Sequence, residues 1–211
     1  MIARTFRRWR TEVTGVSTEE ALDPLAMQDA VLGPLIRVVE EAAGDDPWAL
    51  IGAASCRLQG ADTPSPNLEF MTTGPALQTL AEMLDIPSTW GRGAYLAAQR
   101  LHFMRGRVPV FVFANPVFHG RYESLSPMEI PSLWDARAHI EVESATVLAT
   151  PLEWELLLAV VLETAPRIDA LSACMRKAGF DGRLLTRLLR EGHVQSATEE
   201  AVWAVLEREK E

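Results

Sequence analysis

The hydrophobic positions of this chain change period along its length, and the changes mark out its elements. Leu25, Val31, Leu32, Leu35, Ile36 and Val39 recur at helical spacing. They lie between Asp23-Pro24, which reads as an N-cap with proline at the first helical position, and Gly44. Gly33-Pro34 is expected to kink that helix or divide it in two. Trp48 to Ile51 reads as a strand that ends at Gly52 and opens into a turn or two of helix before Gly60. A loop of Thr, Pro and Ser leads to a short strand over Asn67 to Thr72, and Gly74-Pro75 starts a helix reaching about Leu84. Arg105-Gly106-Arg107 joins the arms of a hairpin whose second arm, Val108 to Phe113, is apolar on both faces and so belongs inside a covered sheet. Asn115 to Trp134, with prolines at 116, 127 and 131, has little pattern and is expected to be a long connection. His139, Glu141 and Glu143 alternate with Ile140 and Val142, which predicts a strand with one wet face paired to Ala145–Leu148.

From Thr150 the period becomes helical to the end. Thr150-Pro151-Leu152-Glu153 has the form of a capping box opening a helix to about Thr164. Pro166 is expected to interrupt, with further helices over about 168–178 and 183–190 and from Ser196 onward. The fold class is therefore α/β (α+β): a mixed sheet flanked by helices, then a helical carboxyl-terminal part. The expected division is a basic tail over 1–16, a core over 17–150 and a helical region over 151–211. Trp154, Leu157, Leu158 and Val161 form a face expected to pack on the sheet.

Composition narrows the functional classes. With 211 residues, 48% hydrophobic and 23% charged, the chain can bury a self-sufficient core. A formal net charge of −9 provides no broad attraction to phosphate backbones or anionic lipid, although Arg4, Arg7, Arg8 and Arg10 cluster at the amino terminus. Cys56 and Cys174 cannot staple a fold of this size, which fits a reducing compartment. No secretory apolar region follows the arginines, and the longest aliphatic run, Leu156 to Leu162, is too short to span a membrane. A cytoplasmic location without membrane partners is expected. The four histidines lack metal-ligand spacing, Ser55 lacks the glycines of a nucleophile elbow, and Cys56 sits among apolar neighbours.

The stretch that carries chemistry is Trp48 to Gly60 followed by Asn67-Leu68-Glu69-Phe70. A strand that ends in a small-residue turn and opens a helix presents backbone N–H groups at a positive helix end, where a phosphate could sit. On the next strand Asn67 and Glu69 share one face while Leu68 and Phe70 take the other. Gly52, Ser55, Asn67 and Glu69 are accordingly the candidate nucleotide-binding residues.

These residues resemble the nucleotidyltransferase-fold superfamily, specifically its small AbiEii-type and minimal bacterial members. Gly52 stands where the first glycine of the family's turn would be, Leu58-Gln59-Gly60 for its Leu-x-Gly, and Asn67-Leu68-Glu69 for its Asp-x-Asp. Val147 to Glu153 is similar to the passage from sheet to helical domain, and Arg167 to Asp169 lies near a frequent Lys-Asp pair. The resemblance implies three carboxylates holding two Mg²⁺ ions for in-line displacement at phosphorus. Here Asn67 is an amide, Glu69 is longer than aspartate, and Val108 to Phe113, where the third carboxylate should lie, contains none. No catalytic residue, metal ligand or cofactor is therefore assigned. The expected function is binding, of a nucleotide or a protein partner, and the resemblance implies a toxin–antitoxin or phage-defence setting. Two alternatives stand beside it. One is an active Mg²⁺-dependent nucleotidyltransferase using Glu69 and a relocated carboxylate such as Asp62, Glu141 or Glu143; the other is an unrelated α/β interaction module.

Overall fold

The computed structural model describes residues 24–64, 67–143 and 145–207. The basic tail expected over 1–16 lies outside them.

The chain builds one mixed sheet in the order β3-β4-β5-β2-β1-β8-β7, with a two-residue strand β6 added beside β5. The strands are β1 (Trp48–Ile51), β2 (Leu68–Thr72), β3 (Thr89–Arg92), β4 (Leu96–Arg105), β5 (Val108–His119), β6 (Ser124–Leu125), β7 (Ala138–Val142) and β8 (Ala145–Ala149). β1 and β2 are antiparallel, whereas β2 runs parallel to β5 and β1 parallel to β8. The period of two sorts side chains onto two packed faces. Trp48, Leu50, Leu68, Phe70, Val110 and Val112 point to one, beneath helices α1 (Pro24–Ala43) and α3 (Gly74–Leu84). Ala49, Ile51, Met71 and Phe113 point to the other. That second face carries the carboxyl-terminal helices α5 (Leu152–Val161), α6 (Ala165–Ala178), α7 (Gly182–Glu191) and α8 (Ser196–Glu207). The helical region thus shares a core with the sheet.

Several expectations need correcting. Pro34 does not divide the first helix: α1 runs through it, because Leu32, Leu35, Ile36 and Val39 are all buried against the sheet and outweigh one missing N–H. The patternless stretch after Asn115 is not all connection. β5 extends to His119 by pairing with the start of β4 across a register shift at Ala97/Gln99, and β6, a short 3₁₀ turn and α4 (Pro131–Asp135) follow. Pro166 does not interrupt a helix but lies in the first turn of α6, where its missing N–H has no helical partner to lose. Thr150 and Glu153 form no capping box. The Thr150 hydroxyl donates to Glu155, and Glu153 instead accepts from the backbone N–H of Asp181 at 2.7 Å.

Helix α5 is buried on every side: Glu153 to Ala159 are all inaccessible or nearly so. The expected face of Trp154, Leu157, Leu158 and Val161 is one part of a central helix wrapped by the sheet and its neighbours. That placement puts Glu155 in the middle of the protein.

Candidate functional site

β1 ends at the Gly52 turn, and α2 (Gly52–Leu58) begins there. Gly52 adopts φ +78, and a Cβ built on it would lie 2.5 Å from Glu69 Oε2, so the carboxylate rests directly against the glycine. Ile51 and Glu69 are register partners on β1 and β2. Asn67 donates its side-chain amide to Glu69 Oε1 at 2.8 Å. Three of the four predicted site residues, Gly52, Asn67 and Glu69, are thereby brought together. Ser55 is not: it is fully buried, and its hydroxyl donates to the Thr150 carbonyl at 3.0 Å.

The N–H at the turn is taken. Gly52 donates to Glu155 Oε1 at 2.9 Å, across 103 positions of chain. Glu155 is wholly inaccessible, and the same oxygen accepts from the Thr150 hydroxyl while Oε2 is ion-paired with Arg167. Arg167, reaching in from the first turn of α6, also donates to Cys56 Sγ at 3.7 Å. A helix start that could accept an external anion thus holds an internal carboxylate, neutralised by an internal guanidinium.

The charges in this cluster constrain one another. Burial pushes the Glu69 carboxyl above its ordinary value, Arg167 opposes the rise, Glu155 adds to it and the Asn67 amide opposes it. Burial works against the Arg167 charge, but Glu155 first, and Cys56 and Glu69 after it, hold that guanidinium above its usual value. Burial, with the Glu155 charge behind it, pushes the Cys56 thiol up to about 12, which makes it an inert thiol.

The parallel register of β2 and β5 places Phe111 opposite Glu69, and Phe111 stacks on His102 of β4 with ring centroids 4.4 Å apart. Of the relocation candidates, Asp62 is exposed beside α6 and Glu141 faces solvent, where it accepts from Thr146. Glu143 lies exposed at the β7–β8 turn with φ +52. None of the three meets Glu69. The carboxylate that does arrive, Glu155, was legible only as one of two acids, with Glu153, opening an otherwise apolar helix, and Arg167 only as a basic residue near where the family often has lysine.

No family model matches this chain, and no curated protein matches it. Solved structures do. The antibiotic-resistance factor ANT(2'')-Ia aligns with 84% of this chain and 90% of its own at 13% identity and a TM-score of 0.45. An antigenic nucleotidyltransferase-like protein from Paracoccidioides brasiliensis aligns with 87% of this chain and 94% of its own at 14% identity and a TM-score of 0.46. A provisionally assigned nucleotidyltransferase from Thermotoga maritima superposes with a TM-score of 0.51 over 68% of this chain and 92% of that one, at 10% identity. The chain has a nucleotidyltransferase-like fold.

The residues that resemble the Asp-x-Asp pair are an amide at 67 and a carboxyl at 69 whose pKa burial raises, and the strand expected to carry a third carboxylate, Val108 to Phe113, contains no acid. Two divalent cations need several hard anionic oxygens, and among the described residues no group of three acidic, histidine or cysteine side chains could hold even one. The donor set at the turn does not suit Mg²⁺. Among the described residues no helix is long and apolar enough to cross a membrane.

Proposed function

We propose that this nucleotidyltransferase-fold protein has lost two-metal transfer and acts by binding. One observation carries the reading: the Gly52 N–H, at the turn where a triphosphate would be gripped, donates to the buried Glu155 carboxylate, whose partner is Arg167. A guanidinium in that position supplies the positive charge that compensates the buried Glu155 without a metal. Phe111 in the register position beside Glu69 supports the same reading, because a ring there contributes no ligand oxygen. A partner engaged elsewhere on the surface suits this closed turn better than a nucleotide in it, and a toxin–antitoxin or defence setting remains the biological context that the resemblance implies.

The test is calorimetric titration with ATP, GTP, CTP and UTP, with and without Mg²⁺, beside an assay for transfer of label from α-labelled nucleotides. No metal-dependent binding and no transfer are expected. Tight Mg²⁺-dependent binding would overturn the reading. A second reading, an active enzyme, draws on the arrival of a second carboxyl, Glu155, at the turn. It requires Glu69→Ala to abolish transfer.

A further inference from the structure

From Ile86 to Tyr122 the sequence contains no aspartate or glutamate, yet it holds Arg92, Arg100, Arg105, Arg107 and Arg121. In a chain of net charge −9 this is a sharp segregation of charge. The stretch folds as β3, β4 and β5 at one edge of the sheet. It also holds four of the large apolar side chains most open to water: Trp90 at 70%, Tyr95 at 64%, Met104 at 54% and Tyr122 at 68%.

One face of this edge is organised. Arg100, His102 and Met104 alternate along β4 and are exposed; their register partners on β5 are Phe113, Phe111 and Pro109. His102 stacks on Phe111 with the planes 9° apart, and Phe111 and Phe113 are parallel within 6° at 6.2 Å. Beyond Arg100 the strip continues into a groove of about 380 Å³ floored by Gly91 and Ala98 and walled by Arg92, Arg100, Tyr95 and Phe113. β4 has ten residues, so the strip is about 33 Å long. Across the sheet Phe111 has Glu69 as its register partner, a carboxyl whose charge burial disfavours. Glu123, which ends the acid-free stretch, accepts from the backbone of Gln195 at 2.9 Å and from the Thr198 hydroxyl.

We infer that this face of β4 and β5 binds single-stranded nucleic acid, with bases stacking on Tyr95 and on His102, whose ring Phe111 backs, and phosphates drawn to Arg92, Arg100 and Arg107. Rings interleaved with arginines on an open sheet are the elements of sequence-tolerant single-strand binding. An acidic protein would satisfy the arginines but not use the ring stack, which is why the polynucleotide is favoured. The inference rests on the proposed function only in taking binding to be the protein's work.

The experiment is fluorescence anisotropy with the full-length protein and a labelled 12-nucleotide U-rich RNA at 50 mM salt. Saturable binding is expected to weaken with salt at a slope near −2 on logarithmic axes, about −0.7 for each of three phosphate contacts. Arg100→Ala should lower that slope by about 0.7, and Tyr95→Ala or His102→Ala should weaken binding about five-fold or more. Melting curves check that these exposed substitutions leave the fold intact. Three results overturn the inference: no saturable binding; loss of binding only when Arg4, Arg7, Arg8 and Arg10 are replaced by alanine; or displacement by polyglutamate as readily as by unlabelled RNA. None of them alters the nucleotide titration that tests the proposed function.

Discussion

Replacing Glu155 probes the buried cluster directly. In Glu155→Ala the Gly52 N–H and the Thr150 hydroxyl lose their shared acceptor, and Arg167, with 22% of its side chain accessible, loses its counter-ion. Leaving one member of a buried ion pair uncompensated costs about 3–5 kcal/mol. An orphaned backbone donor alone costs about 1–3 kcal/mol, but the terms overlap because one carboxylate serves all three groups. A net loss of about 3–5 kcal/mol is expected, against a total stability of about 5–15 kcal/mol for such a domain. At about 2–4 °C per kcal/mol the melting temperature should fall by about 6–20 °C. Glu155→Gln keeps an oxygen for Gly52 and Thr150 while removing the charge, so it should lose less. Arg167→Met leaves a wholly buried carboxylate and should lose about as much as Glu155→Ala. The double variant Glu155→Gln/Arg167→Met removes both charges and should recover about 2–3 kcal/mol relative to the sum of its single changes. Urea denaturation of the parent and these four variants, followed by circular dichroism, measures the losses and the cycle. A loss under about 1 kcal/mol in Glu155→Ala, or strict additivity in the cycle, would refute the account of Glu155 and Arg167 as a mutually dependent pair.

Three further outcomes follow from neighbouring groups. The folded-state pKa of Glu69 is raised, so the native state binds more protons than the unfolded one above pH 4.5, and this group's contribution to stability falls as pH rises from there; Glu69→Gln should therefore gain in melting temperature over the parent at pH 7.5 and lose that advantage near pH 4, and an equal difference at both pH values would contradict the burial argument. Gly52→Ala must accept φ +78 and a Cβ 2.5 Å from Glu69 Oε2, so it should destabilise by more than the roughly 1–2 kcal/mol of a left-handed alanine, with partial rescue by Glu69→Ala; absence of rescue in denaturation curves would show that the two do not clash. Native alkylation by iodoacetamide, read by mass spectrometry, should label Cys174, which is half-buried, and spare Cys56, whose thiol is inaccessible and held near pKa 12; labelling of Cys56 first would refute its inertness.

Much of the fold could be read from the chain because local chemistry and tertiary packing agree there. The strand from Trp48, the turn at Gly52, the helix after Gly74 and the β7–β8 hairpin carry their own period and their own turn residues, and all form. The reading failed where long-range pairing decides. The second half of β5 contains Pro116 and a left-handed Asn115, features that locally argue against a strand, yet antiparallel pairing with Leu96 and Ala97 holds it in the sheet. Capping chemistry misled at Thr150 for a similar reason. A Thr-x-x-Glu spacing predicts a local exchange of hydrogen bonds, but burial of α5 put a stronger acceptor, the Glu155 carboxylate, within reach of the hydroxyl.

The candidate site divides along the same line. Gly52, Asn67 and Glu69 lie within eighteen positions on adjacent strands, so strand period alone predicts that they converge, and they do. Glu155 and Arg167 come from helices a hundred positions away, and nothing in their local sequence names Gly52 as their destination. What the sequence did contain was an unexplained cost: two acids, Glu153 and Glu155, in the first turn of a helix whose other residues are all apolar. Such a residue must be neutralised and hydrogen-bonded somewhere in the fold. A positive helix start and a basic residue on the following helix are the partners that close that requirement here. Their convergence also explains how the turn could keep its glycine and its geometry without an external anion, since the backbone donor remains satisfied by the protein itself.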